Sequence, residues 1–184
     1  MFSKEKLRAA ALAHMQLEHD LKVDRVMDTV AAHPVWWVEP AFRIEGRSAL
    51  AELYRRVLPA PGHKEMTVET MAALDDDPEV TKWGDSHFVT EFSAAPGRYP
   101  MHKGMALVVH FDGLLLASER VYVTDPAATK KLRKFFGPDF GTLPGVHSPG
   151  SKRGLSSEMT GEVVGMDRMT SDQDWALRRG ERRL

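Results

Sequence analysis

Residues 99–123 read YPMHKGMALVVHFDGLLLASERVYV, and this stretch decides the fold. Two apolar runs, rich in the residue types that favour strands, flank the pair Asp112-Gly113. An Asp-Gly pair between such runs is a strong signal for a tight β-hairpin. The pattern therefore predicts two antiparallel strands, over 99–111 and 114–123.

The hairpin also predicts how its side chains are shared between two faces. A two-residue turn would place Ala106 opposite Glu119 and Met105 opposite Arg120. One face then carries Met101, Lys103, Met105, Leu107, Val109, Leu116, Ser118, Arg120 and Tyr122, and the other carries His102, Gly104, Ala106, Val108, His110, Leu115, Ala117, Glu119, Val121 and Val123. Both faces are largely apolar, so both should be covered. We expect the first to line a pocket and the second to meet a partner copy in a homodimer.

Around the hairpin, the sequence alternates between helical and strand patterns. Apolar residues recur at three- and four-residue steps in some segments, whereas others are short β-rich runs bounded by Pro, Gly or Asp. The patterns predict helices over 3–20, 23–32, 49–58 and 126–136, and further strands over 35–39, 66–74 and 80–93. The fold class expected is α+β.

Composition excludes several classes of function. The 184 residues carry a formal net charge of −1, without the basic surplus typical of nucleic-acid-binding proteins. There is no cysteine, which removes disulfides, thiolate nucleophiles and cysteine-based zinc sites, and agrees with a cytoplasmic location. No stretch predicts a membrane span.

Residues 141–184 are rich in Gly, Pro and Ser over much of their length and predict a weakly structured tail after a domain spanning 1–140.

Several short motifs resemble the SnoaL-like, ketosteroid-isomerase-like family of the nuclear-transport-factor-like superfamily. The resemblance covers about residues 5–136, and the motifs that carry it are His14-Met15-Gln16-Leu17-Glu18-His19, Val23-Asp24-Arg25-Val26-Met27, Pro34-Val35-Trp36-Trp37, Gly46-Arg47-Ser48-Ala49-Leu50, Lys103-Gly104-Met105, Asp112-Gly113 and Ser118-Glu119-Arg120. It implies a cone: a strongly curved, mainly antiparallel sheet wrapped around three N-terminal helices, as in a cystatin-like roll. The family often has Glu-His-Trp where this chain has Glu119-Arg120-Val121, so catalytic residues there do not carry over directly.

The sequence offers two catalytic candidates, one through the resemblance and one through its position on a helix. In the isomerase relatives a carboxylate directly before a proline, at the end of the first strand, is the proton-transfer base, and Val38-Glu39-Pro40 resembles that arrangement. The alternative is that Glu39 is a surface glutamate at a strand end. His14 lies on the apolar stripe of the first helix, where it could polarise a substrate oxygen or shuttle a proton. The alternative is a core histidine bonded to a backbone carbonyl.

These observations give a function hypothesis and a rival. The hypothesis is a SnoaL-like enzyme that uses acid–base chemistry without a cofactor, as isomerase, cyclase or hydrolase, on an apolar ligand bearing a carbonyl group. Glu39 would be the base and His14 the helper, in a pocket shaped by Trp37, Tyr54, Leu107, Arg120 and Tyr122. The rival is a non-catalytic, dimeric binding module of the same fold.

A metal site is not indicated. Asp85 and His87 alternate on one strand, but two ligands are too few, and the run Asp75-Asp76-Asp77 lacks the spacing of a calcium loop.

Overall fold

The computed structural model describes residues 2–126, 129, 130, 134 and 136–148. The helices are α1 (Lys4–His19), α2 (Val23–Asp28), α3 (Arg47–Val57) and α4 (His63–Asp76), and the strands are β1 (Val30–Glu39), β2 (Phe42–Glu45), β3 (Thr81–Trp83), β4 (His87–Glu91), β5 (Met105–Asp112), β6 (Leu115–Val123) and β7 (Val146–His147). Residues 126, 129, 130, 134 and 136 are also helical, within the last helix that the sequence predicts.

In the described part of the chain the strands form one seven-stranded sheet in the order β3-β4-β5-β6-β1-β2-β7. Strands β1 and β6 pair in parallel, and every other neighbouring pair is antiparallel. The predicted α+β class is therefore confirmed. Among the described residues, no helix is long and apolar enough to cross a membrane.

Helix α1 forms where the sequence predicts a helix. Its buried side chains are Leu7, Ala11, His14 and Glu18, which follow one another at three- and four-residue steps and so share one face. This face turns inward, and α1 packs against α2 and α4. Because two of the four buried residues are His14 and Glu18, the helix brings a polar pair into the interior.

The hairpin of β5 and β6 has a register that differs from the predicted one. Asp112 pairs with Leu115, so the turn is one position further along the chain than expected. The register then shifts again, because His110 pairs with Ser118 whereas Phe111 pairs with Leu116. The extra residue between these pairs makes a β-bulge on β6.

This bulge exchanges the side-chain faces of β6. Glu119 pairs with Val109 instead of Ala106, and Arg120 pairs with Val108 instead of Met105. Each change is an odd number of residues, and neighbouring residues of a strand point to opposite faces. Glu119 therefore shares the face of Leu107 and Val109, whereas Arg120 lies on the other face.

The segment predicted as a strand over 66–74 lies within helix α4, which is a correction. Its β-branched residues suggested a strand, but its buried positions are Thr67, Thr70, Ala73 and Leu74, at helical spacing. Four helices, and not three, therefore precede β3. Tertiary packing of this face outweighs the weak strand preference of its residues.

Two other predicted elements have different bounds. The helix predicted over 23–32 ends at Asp28, and β1 begins at Val30. Pro34 lies inside β1, at a shift of register against β6, which is where a strand tolerates a residue that lacks an N–H. The strand predicted over 80–93 is divided into β3 and β4 by a turn.

The folded part of the chain extends past the predicted boundary at residue 140. The ring of Phe140 is fully buried, stacks on Phe136 at 5.1 Å between centroids, and meets Phe42 edge-on at 5.2 Å. Strand β7 then pairs with β2. Residues 141–148 therefore belong to the domain, and the rest of the predicted tail lies outside the described residues.

Candidate functional site

A cavity of about 130 Å³ lies between the helices and one face of the sheet. Helices α1, α3 and α4 and strands β1, β4, β5 and β6 contribute to its walls, and most of the lining side chains are apolar. The polar or titratable side chains among them are Glu18, Trp36, Tyr54, His63, Thr67, Thr70, His102 and Glu119. A largely apolar cavity with a few convergent polar groups is the usual form of a small-molecule site.

Glu119 is the carboxyl group with the most unusual environment. It projects from β6 beside Trp36, whose Nε1–H donates a hydrogen bond to Oε2 at 3.0 Å. Burial raises the pKa of Glu119 to about 7, with a further rise from the nearby carboxylate of Glu18, while His14 and the Trp36 bond act in the opposite direction. The Glu119 side chain is half-buried and lines the cavity. At neutral pH this group can either accept or donate a proton.

Tyr54 supplies a hydroxyl group to the same wall. It is buried on α3, and its hydroxyl lies 3.2 Å from Nε2 of His14. Burial, followed by the negative charges of Glu18 and Glu119, raises the pKa of Tyr54 well above its ordinary value. The phenol therefore stays protonated and can donate a hydrogen bond.

His14 connects this hydroxyl to a chain of hydrogen bonds. Thr29 donates its only hydroxyl hydrogen to the Val26 carbonyl at 2.6 Å, so it accepts from Nδ1–H of His14, also at 2.6 Å. Nε2 of His14 then faces both the Tyr54 hydroxyl and Oε1 of Glu18, the latter at 3.0 Å. His14 thus links the Tyr54 hydroxyl to the Glu18 carboxyl group.

A second polar group lies further along the cavity. His102 is buried, contacts Glu69 Oε2 through Nδ1 at 2.9 Å and Thr70 through Nε2 at 3.1 Å, and stacks on Phe92 at 4.0 Å. Burial lowers the pKa of His102, against the opposing effect of Glu69. The imidazole is therefore neutral at pH 7, with both of its nitrogens already in contact with protein atoms.

His63 is different, because one of its nitrogens has no partner. Its Nε2 is buried, lies 3.7 Å from Oε2 of Glu18, and makes no hydrogen bond to any residue that the structure describes. Burial lowers the pKa of His63, with an opposing contribution from Glu18. A neutral imidazole with an unsatisfied nitrogen therefore lines the cavity.

The candidate residues from the sequence lie in different places. Tyr54 and Leu107 line the cavity, and His14 lies behind its wall in contact with Tyr54. Glu39 does not line the cavity: its side chain is 42% exposed and lies 3.9 Å from Nε of Arg120. The placement expected for a base at Glu39 is therefore wrong, because Trp36 and Val38 of β1 face inward and Glu39 has the opposite parity.

Trp37, Arg120 and Tyr122 also lie away from the cavity, which corrects their expected placement. The Arg120 guanidinium lies 4.6 Å from the Trp37 ring centroid and 5.9 Å from that of Tyr122, and Arg43 lies 5.8 Å from Trp37. We call this set of half-buried side chains the outer face of the sheet. Arg120 and Tyr122 lie there because of the β6 bulge, which strand alternation from an Asp-Gly turn does not predict.

Sequence reasoning missed Glu119, Trp36 and His63 as site residues. Glu119 was assigned to the face opposite the pocket, and His63 precedes a segment taken for a strand. Glu18 gave a detectable signal, since it follows His14 by four residues on the buried stripe of α1. Among the described residues, no group of three or more His, Asp or Glu side chains is placed to hold a metal ion.

Comparisons with known proteins give no family. No family model matches the sequence, and no curated protein matches it. Among solved structures, the chain is similar to a de novo designed protein with a curved β-sheet, known from a crystal structure. The match has a TM-score of 0.46 and 13% sequence identity, and covers 73% of this chain and 98% of that one.

Proposed function

We propose that this protein is a small-molecule enzyme that uses acid–base chemistry, without a cofactor, on an apolar ligand bearing a carbonyl group. Isomerase, cyclase and hydrolase reactions all belong to this chemistry. The observation that carries the proposal is a single carboxyl group, Glu119, which faces an apolar cavity with a pKa of about 7. A general base or acid works best when its pKa is near the working pH.

In this proposal Glu119 acts on the carbon next to the ligand carbonyl, and Tyr54 acts on the carbonyl oxygen. The Glu119 carboxylate takes a proton from the carbon next to the ligand carbonyl. The electron pair of that C–H bond moves into the carbonyl, and the Tyr54 hydroxyl donates a hydrogen bond to the oxygen as it gains negative charge. Return of the proton from Glu119 to another carbon, or to the same one, completes an isomerisation or an exchange.

His14 and Glu18 would act through Tyr54 and not on the ligand. Nε2 of His14 contacts the Tyr54 hydroxyl at 3.2 Å and the Glu18 carboxylate at 3.0 Å. Thr29 fixes the orientation of the imidazole from the other side. His14 is thus a positioning residue, which modifies the helper role expected from the sequence.

Exchange of carbon-bound protons tests this proposal without knowledge of the natural substrate. In D₂O, the protein should accelerate deuterium incorporation into the methyl group of acetophenone, followed by NMR. We expect Glu119→Gln to reduce the protein-dependent rate by about 10²- to 10⁴-fold, the usual cost of losing a general base. Glu39→Gln is the matched control and should leave the rate unchanged, since Glu39 lies outside the cavity.

Equal rates in wild type and Glu119→Gln would refute the catalytic proposal. The rival function, a binding module of the same fold, is favoured by the apolar majority of the cavity wall. It would show as saturable binding of acetophenone without any protein-dependent exchange.

The family, shape and assembly belong to the same proposal. A seven-stranded sheet with helices on its cavity face is compatible with the cone-like, cystatin-like roll of the SnoaL-like family. The outer face carries the half-buried side chains of Trp37, Arg43, Arg120 and Tyr122, and we propose that a second copy covers it. The protein would then be a homodimer. We further propose that it is cytoplasmic.

A further inference from the structure

The cavity wall contains two acidic side chains but, among the described residues, no lysine or arginine that could balance an anionic ligand. Glu18 and Glu119 both line it, whereas none of the lining residues among those described is Lys or Arg. A carboxylate or phosphate on a ligand would face these carboxyl groups in an apolar space, where like charges repel strongly. Anionic ligands are therefore disfavoured, and the ligand must gain its polar contacts as an uncharged compound.

The unpartnered nitrogen of His63 provides a second contact point. Buried polar groups in folded proteins are almost always hydrogen-bonded, so an unpaired Nε2 on a cavity wall calls for a partner from within the cavity. The nitrogens of His102 do not offer the same opportunity, because both already contact Glu69 or Thr70.

The two contact points lie close enough together for one small ligand. His63 Nε2 lies 3.7 Å from one oxygen of Glu18, and His14 Nε2, which contacts the Tyr54 hydroxyl, lies 3.0 Å from the other. A single carboxylate thus separates the His63 side of the cavity from the Tyr54 side. The cavity volume of about 130 Å³ is comparable with the roughly 150 Å³ of an engineered apolar cavity that binds benzene.

We infer that the ligand is an uncharged compound about the size of a six-membered ring, with two oxygen functions: a carbonyl group at Tyr54 and Glu119, and a hydroxyl group that shares a hydrogen bond with Nε2 of His63. This inference rests on the proposed function for the carbonyl end and adds the hydroxyl end. It excludes carboxylic acids and phosphorylated compounds as substrates.

A set of probes that share one ring tests the inference by calorimetry on the full chain at about pH 6.5. We expect para-hydroxyacetophenone to bind about tenfold more tightly than acetophenone, which corresponds to one buried hydrogen bond. We expect para-hydroxybenzoate, the anionic analogue, to bind at least about tenfold more weakly than para-hydroxyacetophenone. Benzylamine, a cation, should also bind more weakly than para-hydroxyacetophenone.

Variants at His63 locate the hydroxyl contact. His63→Leu should remove the difference between the two ketones, and His63→Gln, which keeps a hydrogen-bonding group, should restore part of it. His33→Leu, on an exposed position of β1, is the matched control and should preserve the difference. If His63→Leu does not fold, the imidazole nitrogen shifts of wild-type His63 answer the same question, since only the hydroxylated ketone should move its Nε2 signal.

Three results would overturn the inference. They are equal affinity for the two ketones, tighter binding of the hydroxylated ketone that persists in folded His63→Leu, and tighter binding of para-hydroxybenzoate or benzylamine than of either ketone. These outcomes are separable from failure of the proposed function. Proton exchange that does not depend on Glu119 would refute the catalytic role while the comparison of probe affinities still reports on His63.

Discussion

Glu119 and Glu39 lie on neighbouring, paired strands, yet they have opposite environments. Glu119 lies beside Trp36 and faces the cavity, where burial raises its pKa to about 7. Glu39 is 42% exposed and is near Arg120 on the outer face. Both residues are glutamates, so the difference shows that the parity of a strand position decides which carboxyl group can take part in acid–base chemistry.

The tryptophans give the largest expected difference between the two faces. Trp36 is 2% exposed, so Trp36→Ala should lower the free energy of unfolding by about 3–5 kcal/mol, as for other large aromatic side chains deleted from a core. Trp37 is half-buried and contacts Arg43 and Arg120, and Trp37→Ala should cost only about 1–2 kcal/mol. Urea unfolding at low protein concentration measures both. Equal losses of unfolding free energy in the two variants would contradict the placement of Trp36 on the cavity face and Trp37 on the outer face.

The ionisation of Glu119 predicts a dependence of stability on pH. Its pKa rises from an ordinary 4.5 to about 7 on folding, so within that window the folded protein holds a proton that the unfolded chain releases. Stability is therefore highest below the unfolded pKa and falls as pH rises towards 7. Between about pH 5 and pH 7.5, the wild type should lose about 1–3 kcal/mol relative to Glu119→Gln, which cannot ionise. Parallel stability curves for the two proteins would show that Glu119 is not buried as described.

The outer face gives the smallest expected effect, through self-association. If a second copy covers this face, Trp37→Asp should weaken dimerisation by at least about tenfold, or roughly 1.4 kcal/mol, because it places a charge in an apolar contact. Sedimentation velocity across a concentration series measures the shift. Leu21→Asp, at a position 41% exposed outside the sheet, is the control and should leave the association unchanged. A wild-type protein that is monomeric at micromolar concentration would refute the dimer.

Much of the fold could be predicted from local patterns. The α1 stripe, the β5–β6 hairpin and the third helix were all predictable, because three- and four-residue steps or an Asp-Gly turn act over a few residues. The segment over 66–74 was misread because short β-branched runs occur in both strands and helices, and only packing against α1 selects the helix. The boundary at residue 140 failed for a similar reason, since Phe140 is buried by residues distant in sequence, among them Phe42 and Arg56.

The sequence by itself determined the α+β class, the inward stripe that carries His14 and Glu18, and a chain with apolar residues on both faces of its closing hairpin. The tertiary structure alone decided which carboxyl group meets the cavity. Strand alternation has a period of two, so one extra residue in β6 moves Glu119 inward and Arg120 outward. Alternation along β6 does not mark that bulge, because the bulge is a shift in the pairing of β6 with another strand, β5.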